Sequence, residues 1–177
     1  MVTIRTATTN DATIIALLGR ITYSESHGKY IDNKKHLLNY NNDAFSLKKI
    51  KESLSIPDNV FYLIYVNKLP VGYAKLVLNT TFNNKTPQNS CRLERIYILN
   101  DFLPLKIGQQ LYNTVINKAI SLNFECIWLS VYIKNNRAIQ FYRKNNFTKI
   151  GVLQFKVNKK EYENTVFVTK LERIKKN

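Results

Sequence analysis

The N-terminal part of the chain combines one strand-like pattern with three helical patterns. Residues 2–7 favour an extended strand, and the polar residues 9–11 are typical of a helix start, because a short polar side chain accepts a hydrogen bond from an unpaired amide. Apolar residues then recur at helical spacing as far as Ile21, and the pattern breaks at residues 24–28. Further helices are predicted over residues 34–40 and 46–54, the second with Ser46 as its cap.

The rest of the chain alternates strand and helix patterns. Residues 59–79 are dense in β-forming side chains and predict a hairpin that turns at residues 67–70, and the Asn- and Thr-rich residues 79–90 predict an exposed loop. The pattern then predicts strands over 91–99, 124–133, 147–157 and 162–171, a turn over 100–104, and helices over 106–122 and 135–144. A helix between two strands implies a parallel crossover and the hairpins imply antiparallel neighbours, so we expect an α/β (α+β) fold on a mixed sheet.

Length and composition narrow the class of protein. A chain of 177 residues with 45% hydrophobic and 22% charged residues fits one globular domain spanning 1–177. The sequence has no run of about 18 apolar residues and no signal-peptide pattern at its start, so we expect a cytoplasmic protein without membrane attachment. Cys91 and Cys126 have neither disulfide-framework nor metal-site spacing, and we interpret them as buried thiols.

The net charge of +15 allows several interpretations. Clustered Lys and Arg favour a polyanion, yet the basic residues are spread over the whole chain and only residues 170–176 are densely basic. The charge also fits the composition of a chain rich in Lys, Asn and Ile, and it would suit a small cofactor that carries phosphates. We therefore do not expect nucleic acid to be the main partner.

Residues 106–111 have the features of an anion site, because they run from a turn into a helix start. The first amides of a helix have no internal partner, and the helix dipole adds roughly half a positive charge there. Gly108 lets a ligand approach the backbone, so a pyrophosphate fits this position. Taken alone, one glycine at a helix start is more often a packing or turn residue.

Three segments in this order resemble the GNAT superfamily of N-acetyltransferases: the strand at 93–98, the turn and helix start at 106–111, and the segment 135–142 that ends in Asn146 and Phe147. Within the superfamily the chain is most similar to PaiA-type polyamine acetyltransferases. These share an early helical segment like residues 23–45 and strands like Val71 to Lys75, Glu94 to Ile98 and Ile127 to Val131. The resemblance implies a GNAT fold, with a mixed, mostly antiparallel sheet of about six to seven strands splayed at the cofactor site and about four to five flanking helices.

The resemblance also implies roles for individual residues. Acetyl-CoA is the expected cofactor. The backbone of one strand segment would pair with its pantetheine arm, and the helix start would hold its pyrophosphate; Asn135 would contact the arm, and Lys144 would reach a phosphate. The strand segment is Ile96, Tyr97 and Ile98, and the helix start is Lys106, Ile107, Gly108, Gln109 and Gln110.

The chain departs from the family pattern in two places. The phosphate loop usually reads Gln/Arg-x-x-Gly-x-Gly/Ala, whereas those slots hold Leu103, Lys106 and Gly108. The lysine either offsets the lost glycine with its charge or accompanies weaker cofactor binding. The usual glycine before Phe147 is Asn146, a mild change because Asn tolerates left-handed backbone.

Acetyl transfer by direct attack needs a neutral amine, an activating base and a proton donor for the leaving thiolate. The family pattern assigns the proton donor to Tyr142, whose alternative is an amphipathic core tyrosine. Glu94 is the best candidate for the base, through water, and its alternative is an ion pair with Arg92 or Arg95. His27 and His36 lack metal-ligand spacing and receive no role.

The acceptor is expected to be a small primary amine, with polyamines leading. Relatives form the acceptor wall from the region that here holds Tyr23, Glu25, Tyr30 and Asp32, and carboxylates would replace water around each ammonium; alternatively Glu25 and Asp32 are ordinary solvated residues. Two other hypotheses stay open: a protein or peptide amine as acceptor, and a catalytically weak GNAT-like protein that binds nucleic acid. A homodimer fits the resemblance, although no sequence feature decides the oligomeric state.

Overall fold

A computed structural model of the chain describes residues 1–31, 33–157 and 160–172. This part of the chain forms five α-helices and seven β-strands, in agreement with the predicted mixed fold. The strands are β1 (Val2–Thr6), β2 (Asn59–Val66), β3 (Leu69–Val77), β4 (Ser90–Ile98), β5 (Cys126–Tyr132), β6 (Thr148–Val157) and β7 (Lys160–Lys170). The helices are α1 (Ala12–His27), α2 (Lys34–Ala44), α3 (Leu47–Ser55), α4 (Gly108–Ser121) and α5 (Asn136–Lys144).

The starts of α2 and α3 agree with the positions predicted from the sequence. The Ser46 hydroxyl accepts a hydrogen bond from the Lys49 amide at 3.4 Å, which confirms the predicted cap of α3. Helix α2 begins as predicted but runs to Ala44, beyond the predicted end at residue 40. Its added turn is held by packing, because Asn41 is buried and donates to the Ser24 hydroxyl at 2.7 Å.

The strands follow the order β1-β2-β3-β4-β5-β7-β6 in one sheet. The β1–β2, β5–β7 and β6–β7 pairs are antiparallel, and the β4–β5 pair, joined through α4, is parallel. The hairpin between β2 and β3 turns on Asn67 and Lys68, which both have positive φ (49° and 68°), as a two-residue turn of this kind requires. The mixed sheet predicted from the crossover and hairpin patterns is therefore confirmed.

The chain divides into two compact units. The first consists of Met1–Leu76 and Arg95–Val115, and in it α1 packs against α2 and α3. Its largest fully buried side chains include Ile15, Phe45, Ile50, Phe61, Leu63, Ile64, Tyr73 and Leu76. The ring of Phe45 lies so close to Gly19 that a Cβ there would collide with it, so the glycine is needed for this packing. The prediction of one domain over 1–177 stays a prediction.

The second unit consists of Val77–Glu94 and Ile116–Asn177. Phe82, Trp128 and Val166 form a buried cluster in it. The segment 79–90 is irregular, as predicted, but it is not simply exposed: Phe82 is buried, and the Trp128 indole donates to the Thr80 carbonyl at 2.9 Å. The prediction missed this because one large apolar side chain in a polar segment gives no periodic signal.

Both cysteines are buried and free, as interpreted from the sequence. Desolvation raises the pKa of Cys91 to about 12 and also raises the pKa of Cys126. Across the described ranges, no group of His, Cys, Asp and Glu is arranged to hold a metal ion. None of the helices described is long and apolar enough to cross a membrane. The basic stretch predicted at residues 170–176 lies mostly outside the described residues.

Candidate active site

Strand β4 pairs with its parallel neighbour β5 over part of its length. The ladder between them covers three residue pairs and ends where Arg92 faces Trp128. Strand β4 nevertheless continues to Ile98, and β5 continues to Tyr132. The ladder is therefore shorter than either strand.

The end of β4 is fixed closely against β3 on its other side. A Cβ on Gly72 would collide with the carbonyl oxygen of Tyr97, and the Leu99 amide donates to the Val71 carbonyl at 2.9 Å. Glycine at position 72 therefore has a structural explanation, because the absence of a side chain lets the Tyr97 backbone come close to β3. The ring of Tyr97 lies 5.9 Å, centroid to centroid, from that of Tyr73.

The loop before α4 keeps the backbone shape of a phosphate loop although one glycine is missing. Lys106 has left-handed dihedral angles (φ 55°, ψ 21°), the conformation that the usual glycine adopts without strain. A helical turn followed by a left-handed residue forms an anion-binding concavity of backbone amides. Among the described residues, the amides of Ile107, Gly108 and Gln110 donate to no protein acceptor. These amides fit a pyrophosphate.

Gly108 is not explained by protein packing. Its φ lies outside the left-handed region, and an added Cβ would meet only Ile98, at an ordinary 3.8 Å. Neither conformation nor a neighbouring protein atom requires a glycine here. The backbone at this position is therefore open to close approach.

Asn135 begins helix α5. Its side-chain oxygen accepts a hydrogen bond from the Ala138 amide at 3.2 Å, which is a helix cap. No described residue accepts a hydrogen bond from its side-chain NH₂ group, so that donor is available for a ligand. The same residue thus suits both a structural and a binding role.

The end of α5 sets the position of Tyr142. The Phe147 amide donates to the Tyr142 carbonyl at 3.0 Å, the Asn146 amide donates to the Arg143 carbonyl at 3.1 Å, and Asn146 has φ 63°. This pattern is a Schellman motif with Asn in the usual glycine position. The apolar contact of the motif joins the rings of Tyr142 and Phe147, whose centroids are 5.4 Å apart. The motif therefore holds the buried Tyr142 side chain in position. Lys144 lies exposed in the last turn of the same helix.

Glu94 is half-buried on β4, between two arginines that have aromatic partners. The guanidinium of Arg92 lies 4.7 Å from the centre of the Trp128 ring. The guanidinium of Arg95 lies 4.8 Å from the centre of the Phe45 ring. Each arginine therefore packs against an aromatic ring.

The predicted acceptor residues cluster at the end of α1. The Glu25 carboxylate accepts a hydrogen bond from the Asn100 amide at 3.0 Å, two residues past the end of β4. Tyr23 is buried, whereas Tyr30 is half-buried with the Lys29 ammonium 4.9 Å from its ring centre. The structure therefore brings Glu25 beside the end of β4. Asp32 lies outside the described residues.

His27 was given no role from the sequence, yet it lies in this cluster. Its ring stacks on Tyr23 at 4.3 Å and meets the Tyr97 ring edge-on at 6.3 Å. The spacing of Tyr23 and His27 by four residues on one helix face was the available signal.

Comparison with known proteins identifies the family. Residues 25–147 match the family described as Acetyltransferase (GNAT) family. An uncharacterized N-acetyltransferase from the pepI 3′ region of Lactobacillus delbrueckii subsp. lactis is 25% identical over 135 residues, covering 76% of this chain and 77% of the relative.

Solved structures share the fold at low sequence identity. The PaiA N-acetyltransferase from Thermoplasma acidophilum, in complex with coenzyme A, has a TM-score of 0.75 and 17% identity, covering 96% of this chain and 99% of that one. The ribosomal-protein-S18-alanine N-acetyltransferase from Escherichia coli has a TM-score of 0.71 and 14% identity, covering 100% and 98%. Together with the family match and the amide loop, these likenesses lead to one conclusion: the chain belongs to the GNAT acetyltransferase family and is an acetyl-CoA-dependent acyltransferase.

Proposed function

We propose that this enzyme acetylates a primary amine of a small, polyamine-like acceptor by direct attack of the amine on the thioester. The observation that carries the acceptor class is the position of Glu25, whose carboxylate is held by the Asn100 amide just past β4. A carboxylate there replaces part of the hydration shell that an ammonium group loses on binding. Tyr23 and Tyr30 belong to the same region and would contact the apolar stem of such an acceptor.

Acetyl-CoA, when bound, supplies the acetyl group as an activated thioester. The amides of Ile107, Gly108 and Gln110 would hold its pyrophosphate, with charge from Lys106 and Lys144 and a polar contact from Gln109. The side-chain NH₂ group of Asn135 would donate to the pantetheine arm, as would the backbone of Ile96, Tyr97 and Ile98. Since the Ile107 side chain is buried, only its backbone is free to contribute.

Two side chains would move protons. An alkyl amine with a pKa near 10.4 is mostly protonated at pH 7, and its neutral form lies roughly 4.6 kcal/mol higher. Glu94 would take the proton from the amine, through water. The Tyr142 hydroxyl, fixed by the Schellman motif, would donate a proton to the departing sulfur.

The test is coenzyme A release from acetyl-CoA across a panel of acceptors: spermidine and shorter diamines, monoamines, and peptides with a free N-terminus. We expect polyamines to stimulate release most, and Glu25→Gln to raise their KM about tenfold, the effect of losing about 1.4 kcal/mol of binding. Glu52→Gln is the matched control, because Glu52 lies exposed on α3. Stimulation by peptides alone would replace the polyamine acceptor with a protein amine.

A further inference from the structure

His27 is a half-buried, stacked imidazole that the steps above do not use. It is the last residue of α1, and its ring packs flat on Tyr23, with an interplanar angle of 11°. Tyr97 meets it edge-on at an interplanar angle of 73°. Contacts on the face and at the edge fix the orientation of the ring beside β4.

The hydrogen bonds around Ser26 favour one tautomer of His27. The Ser26 hydroxyl lies 2.8 Å from the Thr22 carbonyl oxygen, which can only accept. A proton on Nδ1 satisfies both this bond and the 2.6 Å contact between Ser26 Oγ and His27 Nδ1, whereas a proton on Nε2 satisfies only one of them. In the neutral ring this leaves Nε2 as a hydrogen-bond acceptor.

Among the described residues, the hydrogen-bond partners of the ring are Ser26 and the Tyr23 backbone. Desolvation lowers the pKa of His27 to about 4, so the ring is neutral at pH 7. The rings that face it belong to Tyr23 and Tyr97, and the Glu25 carboxylate, two residues earlier in the chain, is held by Asn100. A neutral acceptor atom does not repel a positively charged amine.

We propose that Nε2 of His27 accepts a hydrogen bond from the acceptor's amine and holds that nitrogen beside the end of β4. This inference rests on the proposed function, since it assumes an amine acceptor. His27 is thereby an acceptor-binding residue and not the base, because its protonated form is too acidic to keep the proton at neutral pH. It also selects for N–H groups: primary amines bind, whereas quaternary ammonium groups have no hydrogen to donate.

The experiment compares His27→Phe, which keeps a stacking ring, with His27→Gln, whose amide restores a polar atom near the Nε2 position. We expect His27→Phe to raise the KM for the amine about tenfold or more, with the KM for acetyl-CoA unchanged, and His27→Gln to recover most of that loss. His36→Phe, the other histidine, is the matched control and should behave as the wild type. Equal KM values for the amine in wild type and His27→Phe would overturn the assignment, as would equal increases in both KM values.

A second measurement needs no variant. Nitrogen NMR of the wild-type imidazoles, with coenzyme A present, should show the His27 Nε2 resonance moving when a primary amine is added and staying in place with tetramethylammonium. An unmoved resonance with both would refute the hydrogen bond. If no amine stimulates coenzyme A release from the wild type, the proposed function itself fails; if amines do and His27→Phe is unaffected, only this assignment fails.

Discussion

Replacing Lys106 by glycine should stabilise the fold and weaken cofactor binding at the same time. Lys106 holds φ 55°, and left-handed backbone costs a residue with a Cβ roughly 1–2 kcal/mol. Glycine removes that cost, but its greater freedom stabilises the unfolded chain by roughly 0.5–1 kcal/mol. The folded protein is therefore stabilised by a net amount of about 0.5–1 kcal/mol. In a chain of 177 residues this corresponds to a rise in Tm of about 1–4 °C.

The second effect concerns charge. Lys106 is exposed, so its attraction to a phosphate would be worth at most about 1 kcal/mol and would be screened by salt. Calorimetry should therefore show a coenzyme A Kd about two- to fivefold higher for Lys106→Gly at low salt, with the difference shrinking as salt increases.

Lys68 provides a matched control, because it is also a lysine with positive φ (68°) and lies in the β2–β3 turn. Lys68→Gly should raise Tm by a similar amount and leave coenzyme A affinity unchanged. The reasoning is refuted if Lys106→Gly lowers Tm, or if both variants change coenzyme A affinity equally.

Four further predictions follow from the site. Gly108→Ala should leave the free energy of unfolding unchanged or up to about 1 kcal/mol higher, yet weaken coenzyme A binding about tenfold or more; unchanged affinity in calorimetry would contradict the phosphate assignment. Tyr142→Phe should lower kcat about tenfold or more with the KM for acetyl-CoA unchanged, and unchanged thiol release would remove its role as proton donor. Asn146→Ala should lower the free energy of urea unfolding by roughly 1 kcal/mol, whereas Asn146→Gly should not; equal losses would argue against strain at this position. The pKa of His27 falls from 6.5 to about 4 on folding, so between these pH values the unfolded chain binds a proton that the folded chain does not. The free energy of unfolding is therefore highest above pH 6.5 and falls by up to about 3 kcal/mol as the pH is lowered towards 4. His27→Phe should not show this slope in denaturant unfolding against pH, and parallel curves would refute the cause.

Local chemistry made much of the fold predictable. Ser46 begins α3 because a short polar side chain satisfies a free helix amide, and that rule needs no knowledge of the rest of the chain. The β2–β3 turn followed in the same way from Asn67 and Lys68 between two apolar runs. The extension of α2 did not, since it depends on Asn41 meeting Ser24 from another helix.

The site was predictable in its motifs but not in its contacts. The loss of a glycine at Lys106 looked like degeneration of the phosphate loop, yet the backbone keeps the left-handed angle, because a lysine can adopt it at a modest cost. The role of Asn146 in the Schellman motif was partly anticipated from its tolerance of the same conformation. His27 was missed because its neighbour Tyr97 is far away in sequence and meets it only in the folded chain.

The two buried thiols make the ladder between β4 and β5 observable in solution. Cys91 and Cys126 belong to two of its three residue pairs, and burial keeps both thiols protonated and shielded. A thiol-reactive dye should therefore detect released coenzyme A without labelling the native enzyme. Over longer times the same dye should label these cysteines only when the ladder opens, so at dye concentrations where labelling outpaces reclosing its slow phase would measure the rate at which the two strands separate.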